Sequence, residues 1–122
     1  MGTIVGRGFK EFGNRVIFYD IDEKKVQNLR NSGLDATTEL SNAIRESDIS
    51  FLCLPTPTKD RKIDLSHIRS VTENLTRCLK EKNDYHVVVV KSTVLPTTTE
   101  KVVIPLLEEH SGKKVGPDIG VC

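Results

Sequence analysis

The stretch that decides the fold is His86-Val87-Val88-Val89-Val90-Lys91-Ser92-Thr93, in which four consecutive valines run into three polar residues. Consecutive β-branched residues favour a strand, and an apolar run of this kind is typical of a central strand covered by helices on both faces. A second such run, Ile49–Leu54, stops at Pro55. Strands that are apolar on both faces indicate a parallel sheet.

The segments on either side alternate between short apolar runs and amphipathic stretches. We predict further strands at residues 3–5, 15–19, 34–37 and 119–121. Helices are predicted at residues 23–32, 38–47, 65–79 and 98–110, with Asp22 capping the first and Asp64 the third, and with Gly33 ending the first. The polar stretch 57–63 is predicted to be a loop, and Pro105 should kink or weaken the last helix. This alternation predicts an α/β fold with a doubly wound parallel sheet.

Length and charge narrow the class of protein. The chain has 122 residues, which is typical of one domain, and we expect residues 1–122 to form a single domain. The net charge is only +1, which argues against binding to nucleic acid or to an anionic membrane surface. The longest apolar run has about five residues, far short of the roughly 20 that span a membrane. We expect a soluble, cytoplasmic protein.

The three cysteines, Cys53, Cys78 and Cys122, are widely spaced, and no histidine stands at zinc-ligand spacing beside them. Cys53 lies in an apolar strand-like run and Cys78 on the apolar stripe of a helix. Both are interpreted as small buried hydrophobic residues. We predict neither a metal site nor a disulfide.

Ligands of a parallel α/β sheet bind beyond the carboxyl ends of its strands, so the residues that follow each predicted strand are the candidates for a site. Gly6-Arg7-Gly8 follows the first strand and is the opening half of the G-x-G-x-x-G fingerprint, whose glycines let the backbone approach a pyrophosphate. Asp20 follows the second strand. A carboxylate there accepts hydrogen bonds from an adenosine ribose and repels a 2′-phosphate, which favours NAD over NADP. Taken singly, the glycines also fit an ordinary turn, and Asp20 fits a helix cap.

Three further polar residues accompany the predicted strands. Thr56 follows the strand 49–54, Thr93 follows the strand 86–90, and Lys25 lies on the helix after Asp20. Threonine near proline is common in turns, and Lys25 is equally compatible with a solvated lysine. The shared placement at strand ends is what favours one binding crevice.

Four segments also match a known cofactor domain in order and nearly end to end: Tyr19–Val26, Leu54–Thr58, Ile63–Leu65 and Val90–Glu100. They resemble the NAD-binding domain of the UDP-glucose/GDP-mannose dehydrogenase family. The most specific part is Lys91-Ser92-Thr93-Val94 with the proline and threonines that follow it.

The resemblance implies a Rossmann-type domain of a cytoplasmic, homodimeric enzyme. Such an enzyme oxidises the C6 alcohol of a UDP-sugar or related nucleotide sugar to a carboxylate, with two NAD reduced per turnover. Asp20 and Lys25 would hold the adenosine end of NAD, while Thr56 and Thr93 would lie near the nicotinamide half. Thr93 would be catalytic, close to the reacting centre, while the cofactor carries the hydride chemistry.

The chain departs from this family pattern near its beginning. Only nine residues, 7–15, lie between Gly6 and Val16, whereas a parallel crossover that contains a helix needs about a dozen residues. Glu11 stands where the third glycine of the fingerprint is expected. We therefore expect the first crossover helix to be shortened or missing. Segment 33–38 is also shorter than in the family, and Thr97 replaces a common glycine, which should stiffen its turn.

These departures lead to two hypotheses. The first is a truncated cofactor domain that is inactive by itself, because the family's Asn-Pro-Glu segment, substrate domain and catalytic cysteine would lie beyond Cys122. The second is a non-catalytic nucleotide-binding or assembly module that kept the sheet and lost its phosphate loop. A phosphoacceptor receiver domain is not supported, because neither Gly6-Arg7-Gly8 nor Thr37-Thr38 supplies its aspartates.

Overall fold

A computed structural model describes residues 2–54, 57–92 and 97–122 of the chain. The chain forms two compact units, residues 1–47 and residues 48–122. Strands alternate with helices in both units, and the strand pairs that helices connect are parallel. The α/β fold class predicted from the sequence is therefore confirmed.

The first unit is a short parallel strand pair with three helices. In chain order its elements are α1 (Gly2–Glu11), β1 (Ile17–Tyr19), α2 (Glu23–Asn31), β2 (Asp35–Thr37) and α3 (Leu40–Arg45). β1 and β2 pair in parallel, with Phe18 opposite Ala36. Phe18 and Ala36 form the core of this unit with Val26 from α2 and Leu34 from the approach to β2. The predicted strands 15–19 and 34–37 are thus confirmed, each somewhat shorter than expected.

The ends of α2 are set by the two residues that the sequence indicated. The Asp22 carboxylate accepts a hydrogen bond from the Lys24 amide at 2.9 Å, which satisfies one of the free N–H groups of the first turn. Gly33 follows the helix with a φ of 81°, a left-handed conformation that glycine adopts without strain. Both predictions are confirmed.

The predicted strand at residues 3–5 is wrong, because this segment lies inside α1. A run of three residues, Thr3-Ile4-Val5, is too short to distinguish a strand from a helix, and Ile4 is 77% exposed instead of lying in a sheet core. α1 contacts β1 through Gly6, where an added Cβ would lie 2.5 Å from the Phe18 ring. α1 has 10 residues and precedes the first described strand, so it does not connect two strands as a crossover helix would.

The second unit is a three-stranded parallel sheet with a hairpin and helices. Its elements are β3 (Ile49–Leu52), β4 (Thr58–Lys59), β5 (Lys62–Ile63), α4 (Ser66–Lys80), β6 (His86–Val90), a π-helix (Thr99–Val103), α5 (Ile104–Ser111) and β7 (Ile119–Val121). The order in the sheet is β3-β6-β7, with Ile49 opposite Val87 and Val87 opposite Gly120. The side chains at the centre of this unit are fully buried: Ile68, Leu75, Leu79, Val88, Leu107 and Ile119.

Two details of this unit differ from the sequence-based expectation. The stretch 57–63 is the β4–β5 hairpin, not an irregular loop, and its two-residue turn at Asp60 and Arg61 has φ angles of 50° and 63°. The helix predicted at 98–110 begins as a π-helix, in which the Ile104 amide donates to Thr99 O, five residues back. Pro105 explains this, because its ring clashes with the carbonyl four residues earlier and a wider turn relieves the clash. The expected effect of Pro105 is therefore confirmed.

Candidate cofactor site

Asp20 lies directly after β1, at the carboxyl end of the β1–β2 pair. Its amide donates to Thr37 O at 3.3 Å, so the backbone stays tied to β2 at this point. Its half-buried carboxylate accepts a hydrogen bond from the Asp22 amide at 2.9 Å and thereby shapes the turn into α2. This is the place in a parallel sheet where a carboxylate meets the ribose of a bound dinucleotide.

Lys25 is the third residue of α2 and is exposed. It therefore belongs to the same unit as Asp20 and to the first turn of the helix that Asp20 leads into. The structure places a carboxylate just before α2 and an ammonium group in its first turn. Their role at the adenosine end of a cofactor stays a prediction.

Gly6 and Gly8 lie within α1 and do not form a turn after a strand. The strand-turn-helix context on which the phosphate-loop prediction rested is absent from residues 2–11. Their positions differ, because Gly6 is buried against Phe18, while a Cβ at Gly8 would meet nothing within 4 Å. The tight fit explains a glycine at position 6 by helix–strand packing rather than by a phosphate.

The predicted residues Thr56 and Thr93 lie outside the described residues. The residues before them are described and are joined to each other. The Leu54 amide donates to Ser92 Oγ at 2.8 Å, and Ser92 Oγ donates to Leu52 O at 3.1 Å. The carboxyl ends of β3 and β6 therefore meet at Ser92, a residue that the sequence reasoning did not single out. The signal for it was a small polar residue two positions after the valine run, inside the segment Lys91-Ser92-Thr93-Val94.

Cys53, at the carboxyl end of β3, is half-buried, and burial raises the pKa of its thiol. Burial raises the pKa of Cys78 in the same way. Both thiols are therefore protonated at neutral pH and are poor nucleophiles. This agrees with their interpretation as small apolar residues, although neither is fully buried.

No group of three or more His, Cys, Asp or Glu side chains in residues 2–54, 57–92 and 97–122 is arranged to hold a metal ion. Within that part of the chain, none of the helices combines the length and the apolar character that crossing a bilayer requires.

The sequence profile of the UDP-glucose/GDP-mannose dehydrogenase family, NAD binding domain, matches residues 27–122. The chain belongs to this family. GDP-mannose 6-dehydrogenase of Pseudomonas aeruginosa is 46% identical over 101 residues, which cover 81% of this chain and 23% of that enzyme. UDP-glucose 6-dehydrogenase of Haloferax volcanii is 38% identical over 142 aligned positions, covering all of this chain and 33% of that enzyme. Since the chain has 122 residues, the latter relative carries residues with no counterpart here.

Solved structures of the family superpose well on this chain. A ternary complex of GDP-mannose dehydrogenase from Pseudomonas aeruginosa matches 98% of the chain with a TM-score of 0.91 at 36% identity. UDP-glucose dehydrogenase from Pyrobaculum islandicum matches 98% of the chain with a TM-score of 0.86 at 28% identity. The chain covers 32% of each of these two proteins. The Rossmann-type fold is thus confirmed, and NAD is the cofactor of this domain.

The residues present fit NAD at one end. Asp20 stands at the carboxyl end of a parallel strand and at the start of a helix, as the ribose of the cofactor requires. The residues predicted for the pyrophosphate do not fit, since Gly6 and Gly8 are helical.

Proposed function

We propose that this chain is the cofactor-binding part of a nucleotide-sugar 6-dehydrogenase. Such an enzyme oxidises the C6 alcohol of a UDP-sugar or a related nucleotide sugar to a carboxylate. The position of Asp20 after β1 carries the proposal, because it combines the family's acidic residue with the strand end where a dinucleotide ribose binds. When bound, NAD would supply the hydride acceptor for this oxidation, with two NAD reduced per turnover.

The chain's own residues bind and orient the cofactor in this proposal. The Asp20 carboxylate accepts hydrogen bonds from the two adenosine ribose hydroxyls and disfavours the 2′-phosphate of NADP by charge repulsion. The Lys25 ammonium group binds the same adenosine end. Thr56 and Thr93 place their hydroxyls near the nicotinamide half, with Thr93 acting at the reacting centre.

The complete enzyme would be a cytoplasmic homodimer that takes a nucleotide sugar as substrate and binds neither nucleic acid nor membrane. The family membership and the near-zero net charge support this. The present chain spans only a quarter to a third of the curated relatives it matches, so we expect it to bind NAD without turning over substrate.

Calorimetric titration with NAD and NADP tests the role of Asp20. We expect NAD to bind more tightly than NADP, and Asp20→Asn to weaken NAD binding by roughly tenfold or more, because hydrogen bonds to a charged group are lost. The same variant should narrow the preference for NAD over NADP. Asparagine keeps an oxygen that accepts from the Asp22 amide, so the turn is preserved, whereas Asp20→Ala should abolish NAD binding.

Glu23→Gln is the matched control, because it also removes one negative charge, from the first turn of α2, the helix that follows Asp20. It should leave NAD affinity within about twofold, since the charge of an exposed side chain is screened by solvent and contributes little. Equal losses in Asp20→Asn and Glu23→Gln would show a general charge effect and contradict the proposed contact.

A second candidate function is a non-catalytic nucleotide-binding or assembly module with a degenerate phosphate loop. The helical placement of Gly6 and Gly8 favours it. Such a module would bind ATP as well as NAD, or neither, and would be indifferent to Asp20→Asn. Titrating the same protein with ATP beside NAD therefore separates the two functions.

A further inference from the structure

β3 and β6 are paired in register from Ile49 opposite Val87 to Leu52 opposite Val90. The backbone ladder ends at Leu52 O, which accepts from both the Lys91 and the Ser92 amides at 3.1 Å. Beyond this point the chain continues from Leu54 toward Thr56 and from Ser92 into Thr93. The two segments to which the family resemblance assigns nicotinamide contacts therefore leave the sheet at neighbouring positions.

The Ser92 side chain extends the connection past the last backbone pair. Its hydroxyl donates to Leu52 O at 3.1 Å and accepts from the Leu54 amide at 2.8 Å. The donor and one lone pair of the hydroxyl are both used by the backbone of the neighbouring strand. Ser92 is only 8% exposed, so its side chain has little surface with which to contact a ligand. Any effect it has on a ligand is exerted through these two hydrogen bonds.

We propose that Ser92 is a positioning residue for the cofactor site: its hydroxyl clamps Leu54 to the end of β6, and this fixes the starting points of the two segments that carry Thr56 and Thr93. The proposal rests on the proposed function, because it assumes that these segments hold NAD. Ser92 would control the affinity of the protein for NAD without touching the cofactor.

The physical reason lies in the geometry of parallel strands that separate. Where the ladder ends, the Leu54 amide no longer faces a carbonyl of β6, and a serine hydroxyl replaces that carbonyl as acceptor. Without it, the Leu54 amide loses its acceptor and Leu54 is free to sample other positions. Binding NAD would then have to order Leu54, which lowers affinity.

The test compares Ser92→Ala with Ser50→Ala by NAD titration and by urea unfolding. Ser50 is a matched control because it lies on β3 too, and its hydroxyl makes a cross-strand hydrogen bond to His86 Nε2 at 2.7 Å, toward the amino ends of the strands. Both variants lose one side-chain link between β3 and β6. We expect both to unfold at lower urea concentration and only Ser92→Ala to raise the Kd for NAD, by roughly tenfold.

Ser92→Thr supplies the rescue, because it keeps a hydroxyl at the same position. It should bind NAD within about threefold of the original protein. Amide hydrogen exchange of the ligand-free variants gives a second readout: exchange at Leu54 should rise about tenfold or more in Ser92→Ala. Exchange at Val90, whose amide donates to Cys122 O at 2.8 Å, should stay unchanged.

Each result supports or overturns the proposal. Unchanged NAD affinity in Ser92→Ala, with binding intact in the original protein, would overturn the clamp and leave the proposed function standing. Equal losses of affinity in Ser92→Ala and Ser50→Ala would reduce Ser92 to a stabilising residue. Absence of NAD binding in the original protein would instead overturn the proposed function and the clamp with it.

Discussion

Thr97 adopts a left-handed backbone conformation, with a φ of 71°. A β-branched residue is strained there, because its side chain crowds the backbone, and glycine avoids this contact. The family resemblance implies glycine at position 97, and from this the sequence predicted a stiffened turn there. The positive φ agrees with that prediction and places the strain in the backbone of Thr97 itself.

We expect Thr97→Gly to raise the free energy of unfolding by about 0.5–1 kcal/mol, since relief of the strain exceeds the added entropy of the unfolded chain. Urea unfolding measures the change. Thr99→Gly makes the same replacement inside the π-helix and should lower stability by about 0.5–1 kcal/mol. Destabilisation by Thr97→Gly would show that its side chain makes contacts that outweigh the strain.

Residues with local roles could be predicted, and residues with distant partners could not. Asp22 and Gly33 act on backbone groups within a few positions, so the caps of α2 were evident from the sequence. Asp20 followed from its place after an apolar run. Ser92 bonds to residues 38 and 40 positions away, and that pairing depends on strand register, which no local pattern encodes.

At the scale of elements, α1 contains a short segment that was wrongly predicted to be a strand. The residues Thr3-Ile4-Val5 favour a strand, yet they form a helix whose contact with β1 includes Gly6 against Phe18. The glycines that suggested a phosphate loop are therefore helix residues with unequal surroundings. Because Gly6 is packed against Phe18 and Gly8 has open space around it, replacing each by alanine tests whether they are helix residues.

Gly8→Ala should stabilise the protein by up to about 1 kcal/mol, because alanine has the higher helix propensity and the added Cβ would have no close neighbour. Gly6→Ala should destabilise it by about 1–3 kcal/mol, because the new Cβ would lie 2.5 Å from the Phe18 ring and 3.3 Å from Val16 Cγ1. Thermal or urea unfolding of the two variants measures both changes.

The same pair of variants tests the earlier prediction that these glycines bind the cofactor. Replacing a phosphate-loop glycine would weaken the binding of NAD, because the backbone at that position must approach the pyrophosphate closely. Unchanged NAD affinity in Gly8→Ala would agree with its position in the helix. A large loss of affinity without loss of stability would restore the phosphate-binding role.

At the scale of the whole molecule, the described residues form two parallel sheets, β1-β2 and β3-β6-β7, and the chain covers 23% of its relative from Pseudomonas aeruginosa. The resemblance identified the family from motif order alone. The fold class was predictable because apolar runs on both faces of a strand demand helices on both sides of a sheet. The division into two compact units was not evident from the sequence.

We expect the 122-residue chain to form no NADH when it is mixed with NAD and either UDP-glucose or GDP-mannose. The reason is that cofactor binding alone supplies neither the sugar contacts nor the nucleophile that the resemblance assigns to other parts of such enzymes. Absorbance of NADH follows the reaction, with GDP-mannose 6-dehydrogenase of Pseudomonas aeruginosa as the positive control. Substrate-dependent NADH formation by the chain would contradict this expectation.

The sequence alone determined the alternation of strands and helices, the caps of α2, the effect of Pro105 and the family of the domain. These depend on hydrophobic periodicity, on capping within a few residues and on motif order, all of which are read along the chain. Only the tertiary structure decided that residues 2–11 are helical, that Gly6 is a packing residue and that Ser92 joins β3 to β6. These depend on which surfaces meet in space, and a short segment compatible with either a strand or a helix takes the form that its neighbours can pack against.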